Sequence, residues 1–195
     1  VVNTFMGKGA IPRSDKHSLF TVGLQGKDHI IGAMREADVI ISAGYDLVEY
    51  APAFWNAGSK KKIIHMDFWP AEVDDHYRPA VDVAGDIADA LWQMNEEINN
   101  RAKKRNIPLP LFDINSRALL RKTIKSDLEK EKRSKAFPMK PQKVLYDVRD
   151  FLDPQDILLS DVGAHKMWVS RYYQCDEPNT CLISNGFCTM GFAFP

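Results

Sequence analysis

Residues 160–195 read SDVGAHKMWVSRYYQCDEPNTCLISNGFCTMGFAFP, and the fold of the chain is decided by how this stretch is read. It holds two short apolar runs, each followed by glycine and polar residues. Ile157-Leu158-Leu159 leads into Asp161-Val162-Gly163-Ala164-His165, and Cys181-Leu182-Ile183 leads into Ser184-Asn185-Gly186-Phe187-Cys188-Thr189-Met190-Gly191. In an open α/β sheet, ligands bind outside the carboxyl ends of the strands. Two such loops on parallel strands form two walls of one pocket. Gly163, Gly186 and Gly191 permit tight turns or a close approach of backbone to ligand. Isolated glycines of this kind also mark ordinary strand-to-helix turns, and pattern alone does not separate the two readings.

The upstream chain repeats the alternation of strand and helix. Residues 1–5 are a short β-prone run, with Val1-Val2 read as part of a buried strand, and the run breaks at Gly7-Lys8-Gly9. That G-x-G is either a strand ending in a loop or one wall of a nucleotide-type pocket, and it lacks the rest of a dinucleotide fingerprint. Residues 30–37 are expected to be helical and 38–43 to be a strand buried on both faces. Residues 61–67 and 81–84 are further strands. Asp86 is the expected N-cap of a helix whose apolar stripe is Ile87, Leu91, Met94 and Ile98, stopped at Ile107-Pro108-Leu109-Pro110. Residues 116–133 are highly charged, with weak apolar spacing at Leu119, Leu120, Ile124 and Leu128, and read as a solvated helix. A helix over 142–152 presents Val144, Leu145, Val148 and Phe151 inward, and residues 156–160 form the next strand. Strands alternating with helices predict a parallel, doubly wound sheet.

Composition narrows the class of function. Lys plus Arg equals Asp plus Glu, 26 each, so no net field draws the chain to nucleic acid or an anionic membrane. No apolar run approaches the length of a membrane span. The cysteines, at 175, 181 and 188, match neither C-x-x-C nor a zinc pattern, and read as reduced thiols of a cytoplasmic protein. His65 and His76 read as structural, with no metal site in prospect. The chain opens without Met and stops at Phe194-Pro195, and is expected to be an internal piece of a longer enzyme.

GAHKMW and SNGFCTMGFAFP resemble, in order and spacing, the segments with which acetolactate synthases hold thiamine diphosphate, which usually read G-Q-H-Q-M-W and T-M-G followed by an apolar residue and Pro. Upstream, GYDLVEYAPAFWNAG and IIHMDFWPAEVDDHYRPAVDVAGDIADAL resemble the middle domain of that family, most closely in its catabolic form. The resemblance implies a Rossmann-like parallel α/β sheet, the later part of a middle domain, over 1–105. It implies an interdomain linker with a charged helix over 106–141 and the start of a second parallel α/β domain, binding thiamine diphosphate, over 142–195. It implies condensation of two pyruvates to 2-acetolactate with loss of carbon dioxide, in a homodimer or homotetramer. Sister readings are another thiamine-diphosphate-dependent 2-keto acid decarboxylase or carboligase, or a non-catalytic Rossmann-like nucleotide module.

By the same resemblance, Val162, Gly163, Ala164 and His165 line the diphosphate end, where N–H groups at a helix N-terminus suit an anion. Ala164 replaces a common Gln. His165 adds a donor or else caps its helix. Met190 lies under the bend of the cofactor, an irregular gap that a thioether fills well. Cys188, at a position usually Gly, offers its backbone carbonyl to the cofactor's amino group. Cys188 as a nucleophile is a rival with no evident base nearby. No catalytic residue is expected within the chain. The family's catalytic glutamate and its Mg2+ ligands lie in segments outside it. Biosynthetic members carry FAD on the middle domain, which would place Phe5, Met6, Asp67, Asp86 and Ile87 near a flavin. Asp46, near the place of the usual flavin-binding Arg, opposes it, so FAD is not favoured.

Overall fold

The computed structural model describes residues 1–23, 30–58, 60–108, 115–185 and 187–194. The expectations for 24–29, Leu109-Pro110, Gly186 and Pro195 lie outside the described residues. Two compact units form, Gly32–Ser116 and the combination of Val1–Ile31 with Arg117–Pro195. Both are mixed α/β with parallel strands, as the pattern predicts. In this grouping the first thirty-one residues pack with residues 117–195.

In the unit Gly32–Ser116, the helix α1 (Ile30–Glu36) runs into β1 (Val39–Ala43), followed by β2 (Lys62–Asp67) and β3 (Val81–Ala84), paired in parallel in the order β1-β2-β3. Ile40 opposes Ile63, and Ser42, His65 and Asp82 share a row. On that face, Tyr77 is buried with its hydroxyl 2.6 Å from Ser42 Oγ and 2.8 Å from His65 Nδ1. The rings of Tyr45 and Trp55 pack around it. His65 is therefore a member of a buried polar network, as the sequence reading has it. The opposite face is only partly covered: Val39 is 44% exposed, Ile41 47% and Val81 49%, while Met66 on the same face is buried. The expectation that β1 is buried on both faces fails here. Among the described residues it is an edge strand paired with β2 alone, and its outer row has little cover.

Asp86 caps α2 (Ile87–Arg105), its carboxylate accepting from Asp89 N–H at 2.9 Å. The helix ends on Asn106 in the left-handed conformation, and Ile107 N–H reaches back to Ala102 O, so the stop precedes Pro108. The expected stripe is weakly used: Ile87 and Met94 are half-buried, while Leu91 and Ile98 are exposed.

The other unit is built on β4 (Leu158–Ser160) and β5 (Cys181–Ile183), paired in parallel, with α5 (Ala164–Tyr172) between them. Its core comprises Phe5, Val169, Tyr173, Cys175, Cys181 and Ile183, with Leu145 and Val148 of α4 (Pro141–Phe151) packed against it. Phe151 is 88% exposed, against expectation, and Val144 is exposed too. The buried face of α4 instead carries Tyr146 and Arg149. Arg149 donates to Leu152 O at 2.6 Å, Asp153 O at 2.5 Å and Tyr173 OH at 2.9 Å. A guanidinium thereby satisfies carbonyls that the end of the helix leaves free.

The charged helix α3 (Asn115–Glu129) is packed rather than solvated. Ile124 and Leu128 are buried, and Arg121 donates to Ser18 O and Arg13 O. Spacings of three and four residues put Arg121, Ile124 and Leu128 on one face, which the surrounding charges obscure in the sequence. Val1, expected in a buried strand, is 64% exposed. Its segment forms an isolated parallel bridge, Asn3 with Thr21, rather than a named strand among the described residues. The Gly7-Lys8-Gly9 turn is a packing junction. Gly9 has φ +85°, and a Cβ there would fall 2.1 Å from Glu177 O, so only glycine fits. Lys8 is buried and donates to Ser170 O at 2.8 Å and Thr21 Oγ1 at 3.1 Å.

Tyr77→Phe is expected to destabilise its unit by about 1–3 kcal/mol in chemical denaturation, because it strips Ser42 and His65 of a buried partner. Burial raises the Tyr77 phenol above its ordinary pKa. Its contribution is present below pH 10 and is lost as pH rises through the raised value, since the unfolded chain ionises first. The variant should therefore lose less stability than the parent above pH 10. Arg149→Ala is expected to cost about 2–4 kcal/mol, and Arg149→Lys should recover little, because a point charge cannot span three acceptors. Denaturant midpoints of the three proteins check this.

Candidate functional site

The parallel pairing of β4 and β5 sets Leu158 against Cys181, Leu159 against Leu182 and Ser160 against Ile183. Both strands point the same way, so the two glycine-marked loops leave the sheet side by side. Asp161 joins them. Its carboxylate accepts from Gly191 N–H, at 2.9 and 3.0 Å to the two oxygens, and from Val162 N–H at 2.7 Å. A second link lies deeper. Lys166, 8% exposed, donates to Asn185 Oδ1 at 2.6 Å and to Cys188 Sγ at 3.4 Å, and its ammonium lies 5.4 Å from the Phe5 ring centroid.

The residues singled out from the sequence fall around this edge. Val162 is half-buried. Gly163 is the N-cap of α5, with φ +146°, and its neighbours Ala164 and His165 are exposed. The imidazole folds beside the cap: a Cβ on Gly163 would lie 3.0 Å from His165 Cε1 and Nδ1. Cys188 is half-buried in the left-handed region, φ +51°, a conformation natural to the glycine usual at that position. Met190 is 80% exposed. The two loops are thus brought together, and the link runs through Asp161 and Lys166 rather than through His165 or Met190. Gly186, between Asn185 and Cys188, lies outside the described residues.

Asp161, Lys166 and Asn185 were missed by the sequence reading. For Lys166 a signal exists. Positions 166, 169, 170 and 173 follow the spacing of one helix face, and Lys166, Val169, Ser170 and Tyr173 are all buried. A lysine on such a stripe must find acceptors inside. Asp161 and Asn185 carry no comparable signal, because their partners are thirty and nineteen residues away. Lys166 also places a titratable amine beside Cys188, where no base was evident from sequence.

The donor set suits an anionic, phosphorylated ligand. Glycine at the N-cap brings no side-chain acceptor to the first turn of α5, whose N–H groups and dipole favour negative charge. Lys166 adds a positive charge that meets no carboxylate in an ion pair among the described residues. Asn185 Nδ2 is buried without a hydrogen-bond partner among the described residues. Asp161, the acid at this edge, is occupied by two backbone N–H groups. Among the described residues no cluster of three or more His, Cys, Asp or Glu is arranged to hold a metal ion, and no helix is long and apolar enough to cross a membrane. The cysteines are free thiols.

Two family models match the chain. Residues 1–94 match the family model described as thiamine pyrophosphate enzyme, central domain, and residues 161–195 match thiamine pyrophosphate enzyme, C-terminal TPP binding domain. The whole chain aligns at 28% identity with acetolactate synthase of Bacillus subtilis (strain 168), covering 33% of that protein. It aligns at 30% with the chloroplastic acetolactate synthase of Arabidopsis thaliana, covering 28% of it. Over 97% of its length it is 30% identical to the catabolic acetolactate synthase of Raoultella terrigena, covering 33% of it. The chain spans about a third of the length of these relatives. Two family models in the expected order, the second beginning at the Asp161 that clips the loops, show that the chain belongs to the thiamine pyrophosphate enzymes, with central-domain sequence followed by part of the TPP-binding domain.

Proposed function

We propose that this chain is part of an acetolactate synthase, and that the edge formed by β4 and β5 holds thiamine diphosphate while two pyruvates are condensed to 2-acetolactate with release of carbon dioxide. The observation that carries the reading is the Asp161 clip between the two motif loops, because a cofactor slot needs both walls at one sheet edge. When bound, thiamine diphosphate supplies the nucleophilic carbon and the electron sink for decarboxylating a 2-keto acid. The chain's own part is to bind and orient. Val162, Gly163, Ala164 and His165 would receive the diphosphate. The Cys188 carbonyl would accept from the cofactor's amino group, and Met190 would support its bend.

Mg2+ belongs to the same proposal as the counter-ion of the diphosphate, with ligands and catalytic glutamate outside this chain. So do a cytoplasmic location and a homodimeric or homotetrameric complete enzyme. FAD is left out of it. Asp46 accepts from Val48 N–H at 2.8 Å and puts negative charge where a flavin diphosphate would need a cation.

The complete protein is expected to bind thiamine diphosphate by calorimetric titration and to convert pyruvate to acetolactate, detected as acetoin after acid treatment. The chain of residues 1–195 alone is expected to form none. A complete protein that binds the cofactor but releases only acetaldehyde from pyruvate would replace acetolactate synthesis with simple decarboxylation. Gly163→Ala should weaken thiamine diphosphate binding about tenfold or more, roughly 1.4 kcal/mol. Its methyl would press on the imidazole, and φ +146° strains any L side chain.

A further inference from the structure

Lys166 shares the buried face of α5 with Val169 and Ser170. Among the described residues its hydrogen bonds go to an amide oxygen and a sulfur, and no carboxylate is ion-paired with it. Asn185 Oδ1 and Cys188 Sγ come from the loop after β5, and the Phe5 ring comes from the opening segment. An ammonium can be kept inside only where its hydrogens find acceptors, so the loop is bound to the helix through this one side chain. The contact also orients the amide of Asn185. Lys166 has donors only, so the amide oxygen must face it and Nδ2 must face away. Nδ2 is left buried with no acceptor among the described residues. A loop that carries an unmet donor is not in the arrangement it would choose alone. Cys188 is likewise kept in a left-handed backbone conformation that a non-glycine residue seldom adopts.

We infer that Lys166 is a positioning residue of the cofactor slot: its ammonium pins the near end of the second loop, at Asn185 and Cys188, as Asp161 pins the far end at Gly191. The residues proposed to meet the cofactor, Cys188 and Met190, lie between or at these two attachments. The inference rests on the preceding reading for the identity of the ligand, and not for the tether itself.

The test compares Lys166→Met, which fills the space without donors, with Lys166→Gln, which keeps a donor without the charge, in the complete protein. Hydrogen exchange is followed without cofactor, and thiamine diphosphate affinity by titration. Lys166→Met should speed exchange of the amides at 187–192 by about tenfold or more, while those at Val169, Tyr173 and Ile183 keep their protection. It should weaken thiamine diphosphate by about ten- to a hundredfold, the cost of misplacing binding groups. Lys166→Gln should recover most of both. Unchanged loop exchange in Lys166→Met, or faster exchange spread evenly through the core, would overturn the inference. If Lys166→Met fails to fold, Lys166→Gln decides: a loop as mobile as a deleted contact would make it, with the donor still present, counts against the tether. Should the loop loosen in a protein that does not bind thiamine diphosphate at all, the tether stands and the cofactor reading falls. Equal binding by parent and Lys166→Met with identical loop exchange does the reverse.

Discussion

The candidate site depends on the parallel pairing of β4 with β5. An antiparallel pair would send Asp161 and Ser184 to opposite ends of the sheet. A parallel pair in the register of Ser160 with Ile183 brings both loops out at one edge, where hydrogen bonds across the gap become possible. The strands have only three residues each, too short to define the edge firmly by themselves. Side-chain links therefore complete what the pairing begins. Asp161 ties backbone to backbone across the mouth, and Lys166 ties helix to loop beneath it.

The unit that carries this edge handles charge in a consistent way. Lys8, Arg149 and Lys166 are all buried, and the hydrogen bonds they make go to neutral oxygen and sulfur. Lys8 serves Ser170 O and Thr21 Oγ1, Arg149 serves two helix-end carbonyls and a phenol, and Lys166 serves an amide and a thiol. A buried cation held only by dipoles keeps part of its desolvation cost, and burial accordingly draws the Lys8 ammonium below the ordinary lysine pKa. What such contacts supply is connection. Lys8 joins residues 162 apart in sequence, and Lys166 joins the opening segment to the final loop. The cations act as cross-links between pieces whose apolar contacts are few. Beneath the slot, Lys166 leaves a positive charge with no carboxylate in an ion pair among the described residues, the sign that a phosphorylated ligand needs.

The unit Gly32–Ser116 follows the other logic of α/β packing. One face of its three-stranded sheet is closed by aromatic rings and by the Ser42–Tyr77–His65 network. The opposite row, Val39 and Ile41 on β1 and Val81 on β3, is only partly covered. Hydrophobic sequence records what a strand is able to bury, and burial follows only where another element arrives to cover it.

Much of the architecture was legible in the sequence. Apolar runs of four to six residues, punctuated by Gly, Asp and Pro, marked the three strands of the first sheet. The Asp86 cap and the helix after Pro141 were written in local chemistry, since caps and proline act within one turn. The two motif loops were legible as well, because Gly163 stands beside His165 in one and Gly191 beside Met190 in the other. Only tertiary structure decided that Val1–Ile31 packs with residues 117–195, that Ile124 and Leu128 are buried in a helix that looks solvated, and that Phe151 is not. It alone revealed Asp161, Lys166 and Asn185 as the residues that join the loops. Local propensity reaches about one turn, whereas a hydrogen bond between residues nineteen or thirty positions apart exists only once the strands between them have paired.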